Sequence, residues 1–156
     1  MLKVAAETEI VALGCDVIAK QRARRLDEIR EKAADKFLAR AQLAAAIAVA
    51  ERHPDVAISE LRHAVALQGG LPNKEPPAWY YSIRETLGAR LALAGKRQEA
   101  RTALEDDLRR NPNNPRSLFG LAAALGRTDP RRAAQITAAF RRAWSHTDTR
   151  LSLNDL

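Results

Sequence analysis

The sequence predicts an all-α fold, and three observations carry that prediction. Ala, Leu and Arg dominate a chain of 156 residues with 46% hydrophobic but only 4% aromatic content. β-branched residues are also sparse, so the composition favours helix over sheet. Apolar residues recur at helical spacing along most of the chain, and no alternating strand pattern appears. Gly, Asn-Pro and Asp-Pro interrupt these runs at short intervals, the punctuation of short helices joined by tight turns. The length suits one domain with a buried core.

The elements follow in order. Val11, Cys15 and Ile18 form a weak stripe that predicts a helix over 1–23, ending in the basic patch "KQRARR" (20–25). Leu26, Ile29, Ala33, Phe37, Ala41, Ala44 and Ala48 keep a helical period from about 24 to 51. Pro54 after His53 opens a helix carrying Val56, Ala57, Leu61, Ala64 and Val65, which Gly69-Gly70 stops. The prolines of "GGLPNKEPP" (69–77) make a stiff, non-helical connector. Tyr80, Ile83, Leu87, Leu91 and Ala94 then share a stripe, with Gly95 where a C′ glycine belongs. The stripe Ala100, Ala103, Leu104 and Leu108 closes at Asn111-Pro112. Asn114-Pro115 and Asp129-Pro130 each offer an N-cap followed by proline at the first helical position. The first opens a helix with Leu118, Leu121, Ala122 and Leu125 up to Gly126. The second opens one with Ala133, Ile136, Phe140, Ala143 and Trp144. Residues 147–156 are polar and read as a flexible tail.

Self-comparison exposes a repeat. With Tyr81 as position 1 of a 34-residue unit, Leu87 and Gly88 take positions 7 and 8, and Leu91 position 11. Gly95, Ala100, Leu104 and Pro112 then fall at 15, 20, 24 and 32. A second unit from Pro115 puts Leu118, Leu121, Ala122, Leu125 and Ala134 at 4, 7, 8, 11 and 20. A degenerate copy over 38–68 begins at Leu38, with Ala41, Ala44, Ala45, Ala48, Ala57, Leu61 and Ala64 in place. These positions resemble the tetratricopeptide repeat, whose pattern wants Leu-Gly, Ala and a closing Pro between large residues. The stretch from "EPPAWYY" to "LFGLAAAL" is similar to the C-terminal repeats of large bacterial tetratricopeptide proteins without assigned activity. Small residues at positions 8 and 20 fit a close crossing of the two helices of a unit. Two departures stand out: Arg84 replaces the large residue of position 4, and Asp107 the small residue of position 27, with Leu108 beside it to take over the packing.

The resemblance implies a right-handed α-α superhelix of about three helix pairs over 24–146 (units 38–68, 81–114 and 115–146), plus the N-terminal helix. It also implies a concave face that binds a protein or peptide. By resemblance that face carries Ser82, Glu85, Ala89, Ala92 and Leu93 in one unit. The next contributes Arg116, Phe119, Ala123, Gly126 and Arg127, and the upstream unit Ala39, Gln42, Ala46, Val49 and Ala50. Some members of the family clamp a partner's terminal carboxylate with Lys and Asn. Glu85, Thr86, Ala89 and Gly120 stand at those positions here, so that clamp is missing. Trp79 and Tyr80 in "PPAWYY" are candidate aromatic anchors, weighed against plugging the seam behind the connector.

Other chemistry finds little support. Cys15 is the single cysteine, so no intramolecular disulfide or thiolate cage can form. His53, His63 and His146 lack zinc-site spacing, and no phosphate loop or nucleophile elbow is present, so no metal, cofactor or enzymatic activity is expected. Glu105-Arg109 and Asp106-Arg110 are expected to pair along one helix. Residues 1–78 carry 12 basic and 11 acidic groups, net +1, and 79–156 carry 14 and 8, net +6. A basic helical nucleic-acid binder, using 20–25 and Arg131, Arg132, Arg141 and Arg142, is therefore the alternative to an interaction scaffold. No window matches a membrane span or a secretory leader, so a cytoplasmic protein is expected. Val11, Cys15 and Ile18 suggest a homodimer through the N-terminal helix.

Overall fold

A computed structural model describes residues 2–70, 81–126 and 128–156, with the side chains of 2–16, 18, 30 and 31 outside the described set. Among the described residues the chain is all-helical: α1 (Leu2–Ala50), α2 (Pro54–Gly69), α3 (Ile83–Leu93), α4 (Arg97–Arg110), α5 (Pro115–Leu125) and α6 (Pro130–Ala143), followed by one 3-10 turn, Leu153–Asp155. Each helix packs on the next in the chain, and α3 also touches α5. Trp79, Tyr80 and Arg127 lie outside the described residues, as do the side chains of Val11, Cys15 and Ile18.

Local chemistry sets the boundaries. Asn114 and Asp129 cap as expected: the Arg116 amide donates to Asn114 Oδ1 (3.1 Å) and the Arg132 amide to Asp129 Oδ1 (3.0 Å). At the end of α3, Gly95 adopts φ +77°. That lets its amide reach the Ala92 carbonyl (3.1 Å) and the Lys96 amide the Leu91 carbonyl (2.9 Å), the paired bonds of a Schellman stop.

The break expected near residue 23 does not occur, and α1 runs unbroken for 49 residues. Residues 15–53 contain neither Gly nor Pro and are rich in Ala, Arg, Lys and Leu, so nothing in the basic patch ends a helix. The buried side of α1 is Leu38, Ala41, Ala45 and Ala48. Leu26, Ile29 and Phe37, expected on that side, are exposed, Phe37 at 53%, as is Val56 of α2. Tyr81, expected to fill position 1, is 65% exposed ahead of α3.

One core runs through the described helices. Leu38 of α1 joins Ile58 and Leu61 of α2, Ile83, Leu87 and Leu91 of α3, Ala100 and Leu104 of α4, and Leu121 and Leu125 of α5. Ala133 and Ile136 of α6 pack against its margin. Ala133 is the fourth residue of α6, as Ala100 is of α4, whereas Ala134, the expected position 20, is exposed. The repeat register therefore slips by one residue in α6.

The tightest approach is between α3 and α4. A Cβ on Gly88 would meet Leu104 Cδ2 at 2.7 Å and Cδ1 at 2.9 Å, and Leu104 is fully buried and cannot retreat. Alanine in place of glycine gains about 1 kcal/mol of helix propensity, while overpacking costs about 1–3 kcal/mol, so the clash is expected to win. Gly88→Ala and Ala100→Leu should each lower the urea midpoint with an unchanged denaturant slope.

Candidate functional site

The residues expected on one binding face divide into a buried network and an outer groove. Asp107 is the hub of the network, with no exposed surface. Its Oδ1 accepts from the Ser82 hydroxyl and from Asn111 Nδ2 (2.8 Å). Its Oδ2 accepts from Asn114 Nδ2 (2.9 Å) and the Ser117 hydroxyl (2.5 Å). Asp107 itself points inward at position 27 because four donors satisfy it there, and Leu108 beside it packs partly buried against the core. Glu85, also buried, accepts from Asn114 Nδ2 (3.0 Å) and from Arg116 Nε (2.6 Å).

Arg84 explains the other departure from the repeat. It is buried, 7% exposed, and its Nε donates to Asp106 Oδ2 at 2.7 Å. Its aliphatic stem can fill the space of a large residue while the guanidinium stays paired. Burial pushes the Asp106 carboxyl up, but hydrogen bonds from Arg84 and Arg109 and the charges of Arg84 and Arg110 outweigh it, holding it below the ordinary 3.8. Glu105 does not pair with Arg109 as expected. It pairs with Arg101 (2.9 Å) and with Arg132 of α6 (2.8 Å), which ties α6 to α4.

The outer groove lies over α3 and α5. Residues 151–156, expected within a flexible tail, are instead laid against these helices. The Thr86 hydroxyl donates to the Leu156 main-chain oxygen (2.6 Å). Arg90 donates to Asn154 Oδ1 (3.2 Å) and to the Asn154 carbonyl (3.3 Å), and Arg116 Nη2 to the Asp155 carbonyl. Leu156 is only 6% exposed, and a Cβ on Gly120 would lie 3.2 Å from its Cδ2 and 3.1 Å from Leu104 Cδ2. The absence of a side chain at 120 thus makes room for both leucines.

The segment holds its own shape. Ser152 donates from its amide and its hydroxyl to Asp155 Oδ2, both at 2.7 Å, closing a capping box around the 3-10 turn. Those bonds, with the Arg116 charge, hold the Asp155 carboxyl below its usual range. Beyond Arg90, a shallow cavity of about 190 Å³ opens between Val49 and Arg52 of the α1 end, Pro54 and Ala57 of α2, and Leu93 and Ala94.

Comparison with protein-family models, curated proteins and solved structures finds no match. The chain's own geometry carries the reading. Of the expected face, Arg116 touches the docked segment, Ser82 and Glu85 lie in the network beneath it, Ala89 is buried and Ala123 is exposed. Phe119 turns instead toward α6, its ring centre 5.4 Å from that of Phe140, which stacks in turn on Trp144 at 6.0 Å. The sequence reading missed Thr86, Arg90, Gly120 and Leu156 as a set. The signal was there: Thr86/Arg90 and Arg116/Gly120 are two i, i+4 pairs on consecutive first helices, and "LSLNDL" carries Ser-x-x-Asp before a leucine. Among the described residues, no three His, Cys, Asp or Glu side chains come together to hold a metal, and no helix is long and apolar enough to cross a membrane.

Replacing Asp107 with alanine leaves buried donors without an acceptor and is expected to cost about 3 kcal/mol or more in urea unfolding, against about 1 kcal/mol for Ser82→Ala. For Asp106 the folded value is depressed, so its contribution is complete above the ordinary 3.8 and is lost as pH falls through the lower folded value. Unfolding at stepped pH should show wild type more stable than Asp106→Asn at neutral pH, with the gap closing below 3.8.

Proposed function

We propose that the chain is a non-catalytic, tetratricopeptide-type scaffold that binds a protein or peptide on the concave face of an α-α superhelix, over α3 and α5. One observation supports this reading: a short peptide segment rests against α3 and α5, gripped through its main-chain oxygens by Thr86, Arg90 and Arg116. Main-chain capture with one buried leucine is how a groove takes an irregular segment while leaving most of its side chains free. The repeat spacing at Leu87, Gly88, Ala100 and Leu104, and the close crossing it produces, supports the tetratricopeptide likeness.

The basic alternative rests on 20–25, which is exposed along α1, and on Arg131, Arg132, Arg141 and Arg142 of α6. A photo-reactive residue in place of Ala123 should cross-link to a discrete protein in cells, while one in place of Arg131 on α6 should not. Labelled oligonucleotide should remain unshifted at near-physiological salt; a shift that falls steeply as salt rises, without protein cross-links, would overturn the scaffold reading.

A further inference from the structure

Residues 151–156 describe what the α3/α5 face accepts. Their turn is closed internally by Ser152 and Asp155, so the bound shape is pre-formed and little order is lost on docking. Three successive main-chain oxygens, of Asn154, Asp155 and Leu156, are read by Arg90, Arg116 and Thr86. These contacts are indifferent to side-chain identity. Selectivity falls on two features, the Ser-x-x-Asp box that bends the segment and the leucine that enters beside Gly120. The Asn154 amide oxygen on Arg90 adds one further polar contact.

We propose that this groove is a binding site for a short partner peptide of the form Ser-x-x-Asp-Leu, and that residues 151–156 occupy it in cis as a built-in competitor. The proposal rests on the reading of this face as peptide-binding and names its ligand class. The cis segment is reached through residues 145–150, which are exposed, and this lead-in is held to the end of α6 by Trp144 Nε1 donating to the Thr149 carbonyl (2.8 Å). What keeps the segment in place is its tether, which sets an effective concentration on the order of millimolar. A free peptide with the same contacts competes against that concentration, so opening the groove raises its apparent affinity by about ten- to a hundred-fold.

The test uses the full chain and a fluorescent peptide spanning residues 149–156, followed by anisotropy. Leu156→Asp in the protein unseats the cis leucine, and this variant should bind the peptide at least about tenfold more tightly than wild type. Adding Thr86→Val, which keeps the shape and deletes the donor, or Arg90→Glu should weaken that binding, and a peptide carrying Leu156→Asp should not bind. Helical circular dichroism and a cooperative melt establish that each variant is folded. A folded Leu156→Asp chain that ignores the peptide overturns the proposal and leaves 151–156 as an internal clasp. A wild-type dimer that Leu156→Asp dissociates also overturns it, by making a second copy the occupant. In either case the cross-link at Ala123 still reports separately on whether the face binds a partner.

Discussion

Everything on the α3/α5 side depends on a carboxyl group with nowhere to go but inward. Asp107 sits on the last turn of α4 and accepts from the residue before α3, the residue that ends α4, the residue that caps α5 and a serine in the first turn of α5. Three helix ends are therefore oriented by one side chain. A buried polar group is costly unless fully partnered, and this arrangement spends otherwise unsatisfied loop and cap groups to partner it. Asn114 shows the economy: its oxygen caps α5 while its nitrogen serves Asp107, Glu85 and Ser117. Ser82 makes the opposite choice: its hydroxyl goes to Asp107, and the first amide of α3, that of Ile83, donates to Gln68 Oε1 instead (3.2 Å).

Apolar packing and this network divide the labour along the chain. Between α1 and α2 the buried residues are apolar, Leu38, Ala41, Ala45 and Ala48 on one side and Ala57, Ile58, Leu61 and Ala64 on the other. Small residues allow close approach but specify little about rotation. From α3 onward, the polar hub and the Arg84–Asp106 and Arg132–Glu105 ion pairs add directional constraints on top of the same kind of core. The close crossing at Gly88 then brings α3 near enough to α4 for Leu104 to reach past it toward α5, where Gly120 receives it.

The helices were largely legible because their ends are written in short-range chemistry: Asn-Pro, Asp-Pro and a C′ glycine act within one turn. So were the core positions of α3 to α5, where glycine, alanine and leucine recur at fixed intervals. Three features were not legible. The length of α1 hid because a hydrophobic stripe that weakens looks like an ending, although only Gly, Pro or a cap stops a helix. The inward face of Asp107 hid because two of its four donors lie 25 residues upstream and 10 downstream, at Ser82 and Ser117. The seat of Leu156 hid because its partners lie up to 70 residues away, at Thr86, and composition alone makes 147–156 look like solvent-facing chain. Local rules set the rods; long-range partners decide which polar residues turn in.

Arg116 has one more consequence. Its Nε holds Glu85, which shares Asn114 with the Asp107 hub, while its Nη2 holds the Asp155 carbonyl at the surface. The same guanidinium is thus a rivet between the joint of two helical pairs and whatever lies on top of them. Vacating the surface removes one of its two anchors and loosens the joint; filling it tightens the joint again. If the groove exchanges its occupant as proposed, its occupancy and the rigidity of the stack become two readings of a single equilibrium, and the melting temperature of the domain a gauge of how full the groove is.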